Sequence, residues 1–176
     1  MSDREIIFKI LLIGDGSSGK DELVRKYTSC CYPEGIKLSL GVDFYTKTTT
    51  FKDKIIRIQL WDVESEDIQG FLLSSYCRGS NGAIIMYDIT NFKTLKHVPD
   101  WVQLIRKNAG DIPIVLVGNL SNLEKSWEVS GEEGIRLAKK YNLSGFVEIS
   151  TKLGENVKEM FESFTEILID HLGLQK

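Results

Sequence analysis

Apolar positions fall into short, separated blocks whose periodicity changes along the chain. Ile6 to Ile13 is a nearly continuous apolar run ending at Gly14, the pattern of a strand buried on both faces. From about Leu23 the spacing becomes helical. Val42 to Phe51 and Ile55 to Asp62 are β-rich, and Lys52-Asp53-Lys54 between them reads as a hairpin turn. Ala83 to Tyr87, Ile114 to Val117 and Phe146 to Ile149 are three further strand-like blocks. Helical spacing fills the intervals. Phe92 to Asn108 places Leu95, Val98, Val102 and Ile105 on one face. Gly131 to Tyr141 and Glu155 to Leu172 repeat the pattern, the latter through Val157, Met160, Phe161, Phe164, Ile167 and Leu168. Strands alternating with helices of this length predict a mostly parallel six-stranded sheet covered by helices on both faces, with the early hairpin supplying one antiparallel edge strand.

The length of 176 residues suits about one domain. No linker, repeat or charge block divides it, so residues 1–176 read as a single α/β domain. A net charge of −3 argues against a general nucleic-acid binder. The chain has three cysteines, Cys30 and Cys31 adjacent, without zinc-ligand spacing or a secretory leader. Reduced thiols and a cytoplasmic location are expected. No apolar run approaches the ~20 residues of a membrane span. With Ser2 in place of glycine and no cysteine in the ending Gly173-Leu174-Gln175-Lys176, neither myristoylation nor prenylation is expected of this sequence, which reads as a soluble protein or a trimmed one.

In parallel sheets ligands bind beyond the carboxyl ends of the strands. There the first strand is followed by Gly14-Asp15-Gly16-Ser17-Ser18-Gly19-Lys20-Asp21 and then a helix. Glycines let backbone N–H groups wrap a phosphate, the helix N-terminus adds partial positive charge, and Lys20 adds a full one.

The remaining segments give this loop a context. Ser39-Leu40-Gly41-Val42-Asp43-Phe44 resembles the TIGVDF switch segment of the Rab-like branch of the Ras-superfamily small GTPases. Leu60-Trp61-Asp62 stands before the position of DTAGQ. Ser74-Ser75-Tyr76-Cys77-Arg78-Gly79 and Tyr87-Asp88-Ile89-Thr90 match further Rab-like signatures, Gly118-Asn119 opens the NKxD position, and Ser150-Thr151-Lys152 replaces SAK. The resemblance covers essentially the whole chain and implies a P-loop G-domain fold. It also implies nucleotide contacts from Gly16, Ser17, Ser18, Gly19, Lys20, Asp21, Glu22, Tyr32, Asn119, Asn122, Ser150, Thr151 and Lys152, and magnesium contacts from Asp21, Ser39 and Asp62. Tyr27 and Tyr32 stand where the family has aromatics near the nucleotide, with ordinary packing as the alternative.

The motif chemistry departs from that pattern. Asp21 replaces the magnesium-binding Ser/Thr, and a carboxylate ~4 Å from a phosphate charge costs roughly 4 kcal/mol at an effective dielectric of ~20. Asp62-Val63-Glu64-Ser65 lacks the mobile glycine of DxxG. Glu66 occupies the place of the glutamine that orients attacking water. Asn122, in place of the base-reading aspartate, turns an NH₂ toward a guanine donor, and Leu120 replaces the adjacent lysine. Mg²⁺ with GTP or GDP is therefore a doubtful cofactor set.

Phe44, Trp61 and Tyr76 match the aromatic triad that Rab-like proteins present to effectors, a surface suited to a protein partner or scaffold. His97 and His171 lie on helical segments without a nucleophile pattern and read as surface residues. The expectation is a pseudo-GTPase serving as a protein-interaction module. Alternatives are a slow GTPase using Lys20, Ser39 and Asp21 around Mg²⁺, a binder of a non-guanine nucleotide such as a xanthine nucleotide, or a receiver-type domain phosphorylated on Asp62.

Overall fold

The computed structural model describes residues 5–28, 36–38, 41–63, 71–120 and 125–174. Its strands are β1 (Ile6–Gly14), β2 (Ile36–Leu38), β3 (Val42–Phe51), β4 (Lys54–Val63), β5 (Gly82–Asp88), β6 (Ile114–Asn119) and β7 (Gly145–Ile149). They form one sheet in the order β2-β3-β4-β1-β5-β6-β7. Strands β4, β1, β5, β6 and β7 are parallel neighbours, whereas β3 pairs antiparallel with both β4 and β2. Among the described residues β3 is thus the single strand running against the rest. The six expected strands are all present. The addition is β2, whose three residues are too few to show a period of two, and it takes the sheet edge beyond β3.

Alternation along the central strands divides the core into two layers. Phe8, Ile10 and Leu12 of β1 join Ile84 and Met86 of β5 on one face. Leu11 and Ile13 join Ala83, Ile85 and Tyr87 on the other. The first face is covered by α1 (Lys20–Thr28) through Leu23, Val24 and Tyr27, and by α6 (Val157–His171) through Met160, Phe161, Phe164 and Leu168. The second is covered by α2 (Phe71–Cys77), α3 (Phe92–Lys96), α4 (Val98–Ala109) and α5 (Gly131–Lys140). Burial on both faces explains why these strands read as apolar runs rather than as alternations.

Helix boundaries correct the sequence expectations at four places. The helix expected from Leu23 starts at Lys20, immediately after the glycine loop. Helix α2 was not expected, because Phe71–Cys77 is two turns long with serines in the middle. The helix expected over Phe92 to Asn108 is broken at His97. Pro99, in the first turn of α4, has no N–H to donate back, and the His97 carbonyl restarts the ladder by accepting from Asp100 and Trp101. The last helix begins at Val157 rather than Glu155, because Gly154 and Glu155 donate to the Ser150 carbonyl in a tight turn and Asn156 is left-handed.

The hairpin turn is the two-residue Lys52-Asp53, with φ of 46° and 63° closing the Phe51–Lys54 pair. Two left-handed residues match the twist of the flanking strands. Helix α5 opens with a reciprocal capping box between Ser130 and Glu133. No helix among the described residues is long and apolar enough to cross a membrane.

Candidate functional site

The candidate site lies at the carboxyl ends of β1, β6 and β7, where three loops meet. Strand β1 ends at Gly14 against Met86 of β5. A Cβ here would lie 2.4 Å from the Met86 carbonyl oxygen and 2.8 Å from Ser18 Oγ, so the loop can leave the sheet only from glycine. Gly16–Ser18 form one 3-10 turn, and Gly19 reverses the chain at φ 86° to start α1. Ser18 donates to the Asp15 carbonyl through both N–H (2.9 Å) and Oγ (2.7 Å).

Lys20 is buried and bends back over this loop, donating to the carbonyls of Gly14 (2.8 Å) and Asp15 (3.3 Å). An ammonium has three donors, and these bonds use two of them. Gly16 and Ser17 are exposed at the tip. A cation held at the N-terminus of a helix beneath a glycine turn is chemistry suited to a phosphate.

The second loop is tied to the first by Asn119. Its Nδ2 donates to the Ser18 carbonyl (2.9 Å) and to Thr151 Oγ1 (3.1 Å), while its Oδ1 accepts from the Thr151 backbone N–H (3.1 Å). Both residues are buried. The buried Ser150 hydroxyl accepts from Leu153 N–H, and its carbonyl anchors the turn before α6.

The third tie is Glu22, in the first turn of α1. One carboxylate oxygen accepts from Thr151 Oγ1 at 2.9 Å and the other from Lys152 Nζ at 2.5 Å. Burial by itself raises the Glu22 pKa, but the hydrogen bonds from Lys152 and Thr151 and the charges of Lys152 and Arg25 outweigh it and lower it overall. The glycine-loop side of the site, with Lys20 at the start of α1, has the charge that suits an anion. The far side does not fit one as well, because the Thr151 N–H and the Lys152 ammonium are engaged by the chain itself.

Of the residues expected to meet magnesium, Asp62 is buried near the end of β4 and Asp21 is exposed in the first turn of α1. The Tyr45 phenol lies in the field of both. Its pKa is pushed up to about 12 by burial first, then by Asp43, Asp62 and Asp21, with Arg25 opposing. Among the described residues no group of three or more His, Cys, Asp or Glu is placed to hold a metal ion. Tyr32, Ser39, Glu64, Ser65, Glu66 and Asn122 lie outside the described residues, as do Cys30 and Cys31. Tyr27 takes the packing alternative. It is buried, with its ring stacked on Phe161 at 3.5 Å between centroids.

The aromatic trio is contiguous. Phe44 and Trp61 are cross-strand partners on β3 and β4, edge-to-face at 5.4 Å between centroids. Tyr76 of α2 lies 6.1 Å from Trp61. All three are half-buried. The Lys9 ammonium sits 4.2 Å over the Trp61 ring and donates to the Arg78 carbonyl. Cys77 beneath them is a buried free thiol, its pKa raised by burial against the charge of Lys9.

Two relationships escaped the sequence. His97, expected on a surface helix, contacts Asp15 of the glycine loop, and Glu22 bonds Thr151 and Lys152. Separations of 82 and about 130 residues leave no local signal for either.

The family model of the Ras family matches residues 9–170, which reaches from within β1 to within the last turn of α6. Members of that family bind GTP and GDP with Mg²⁺ and engage protein effectors. The glycine loop, the order of the sheet and this match agree: the chain belongs to the Ras family and has the fold of its small GTPases.

Proposed function

We propose that this chain is a Rab-like pseudo-GTPase: a single G domain that works as a protein-interaction module in the cytoplasm, with weak or altered nucleotide binding and impaired GTP hydrolysis. The observation that carries the reading is the contiguous Phe44–Trp61–Tyr76 cluster, kept on β3, β4 and α2 while the residues of the nucleotide site are altered. Rigid aromatic rings offer contact area at low entropic cost. Asp21 supports the other half, as a carboxylate beside the phosphate loop. Glu66 and Asn122 support it through their chemistry in the sequence.

A slow GTP-binding switch is the second reading, favoured by the preserved geometry around Gly19 and Lys20. Protein purified without added nucleotide separates the two. Heat release and chromatography should recover well under one guanine nucleotide per chain, and incubation with GTP and Mg²⁺ should release no phosphate above background. Stoichiometric GDP with measurable turnover would replace the proposal by the slow switch.

A further inference from the structure

The bonds between the three loops form one unbroken chain. Asn119 Nδ2 joins the Ser18 carbonyl to Thr151 Oγ1, Thr151 Oγ1 donates to Glu22, and the other oxygen of Glu22 accepts from Lys152. The chain of bonds runs from the buried Ser18, Asn119 and Thr151 outward to the partly exposed Glu22 and Lys152. The glycine loop is thereby tied to the ends of β6 and β7 with no ligand between them.

The position of Glu22 gives the chain of bonds a chemical meaning. The N-terminus of a helix attracts anions, because its first N–H groups lack intrahelical partners and the helix dipole is positive there. In α1 the first turn carries two carboxylates, Asp21 and Glu22. Glu22 meets in addition the one ammonium on the β7 loop, at ion-pair distance, with its side chain only one-third exposed. It thus satisfies the partners that a bound anion would otherwise seek. The surface cavity beside it, about 370 Å³, is lined by Glu22, Arg25, Lys26, Thr151 and Lys152. Apart from Glu22, every charged residue of that lining is basic.

We propose that the Glu22 carboxylate is a built-in competitor for nucleotide, engaging Thr151 and Lys152 in the ligand's place and setting the affinity of the site. The inference rests on the reading of weak nucleotide binding and names its cause within the described residues. It makes Glu22 an affinity-setting residue: removing its charge leaves the rim of Arg25, Lys26 and Lys152 without its one carboxylate and frees Lys152 from its ion pair. Depression of its pKa by the same partners is consistent with a carboxylate held ionised.

The test uses the full chain with Glu22→Ala and Glu22→Gln, the latter keeping an acceptor for Thr151. Calorimetric titration with GDP, GTP and xanthosine diphosphate, each with Mg²⁺, gives affinities, and circular dichroism verifies folding. Glu22→Ala is expected to bind GDP at least about tenfold more tightly than the natural chain, with Glu22→Gln between them. GDP should raise the melting temperature of Glu22→Ala more than that of the natural chain. Equal affinities across the three folded proteins overturn the inference. A natural chain that carries stoichiometric GDP overturns the weak-binding reading itself. A natural chain that is empty, with variants equally unable to bind, removes Glu22 as the cause and leaves that reading standing.

Discussion

His97 Nδ1 lies 2.7 Å from Asp15 Oδ2, joining the break between α3 and α4 to the glycine loop. The carbonyl of the same Asp15 accepts from Ser18 and Lys20, so the contact pins the residue on which the loop is folded. His97 is half exposed, and exposed ion pairs contribute at most about 1 kcal/mol. Replacement His97→Ala should therefore lower global stability by less than that. Its larger effect should be local, read as faster amide hydrogen exchange at Gly16–Gly19 with little change in the sheet.

Gly19 combines φ 86° with a close neighbour: a Cβ there would stand 2.3 Å from Asn119 Nδ2. Gly19→Ala must strain the backbone and push Asn119 off Ser18 and Thr151. A loss of about 2 kcal/mol or more is expected in denaturant unfolding. Gly16→Ala is the control, since a Cβ there meets nothing within 4 Å. It should cost under about 0.5 kcal/mol.

The Lys52-Asp53 turn holds two non-glycine residues in the left-handed region. Relieving the second with Asp53→Gly should stabilise the hairpin by about 0.5 kcal/mol, after the entropy that glycine adds to the unfolded chain. Lys52 is best left in place, because it pairs with Glu166 of α6 and links the hairpin to the helix layer. An unchanged or lower denaturation midpoint would show that the turn is unstrained.

Three of the six tyrosines should titrate late. Burial is the leading cause at Tyr27, Tyr45 and Tyr87, with carboxylates adding to it: Glu162 at the first, Asp43, Asp62 and Asp21 at the second, Glu148 and Glu133 at the third. Folding thus favours the neutral phenol over the ordinary value of 10.0. Below that pH their protonation leaves stability unchanged, and above it stability falls as the pH climbs toward and past about 12, the value for Tyr45. Phenolate absorbance followed beside circular dichroism should show late ionisation arriving together with unfolding. Six phenols titrating around 10 in a folded chain would contradict this.

Much of the molecule was written locally. Strands β1, β5 and β6 are apolar runs because both faces of each are covered. The glycine loop was recognisable because Gly14, Gly19 and Lys20 sit between a strand and a helix, where their backbone needs are set by neighbours a few residues away. Periodicity failed where elements were short, as in β2 and α2, and where Pro99 divided an otherwise continuous apolar face.

What the sequence determined alone was the layered α/β architecture, the glycine loop between β1 and α1 and the acidic residues set near it, all of them properties of residue type and spacing. Tertiary structure decided what those residues touch. Tyr27 became a packing residue because α6 brings Phe161 against it. His97 left the class of unremarkable surface residues because the sheet order sets the α3–α4 break beside β1's loop. Glu22 met Thr151 and Lys152 only because β7 ends two strands away from β5 and three from β1, with its loop turned toward α1. Side-chain contacts between loops depend on the strand order, and no local window of sequence carries that order.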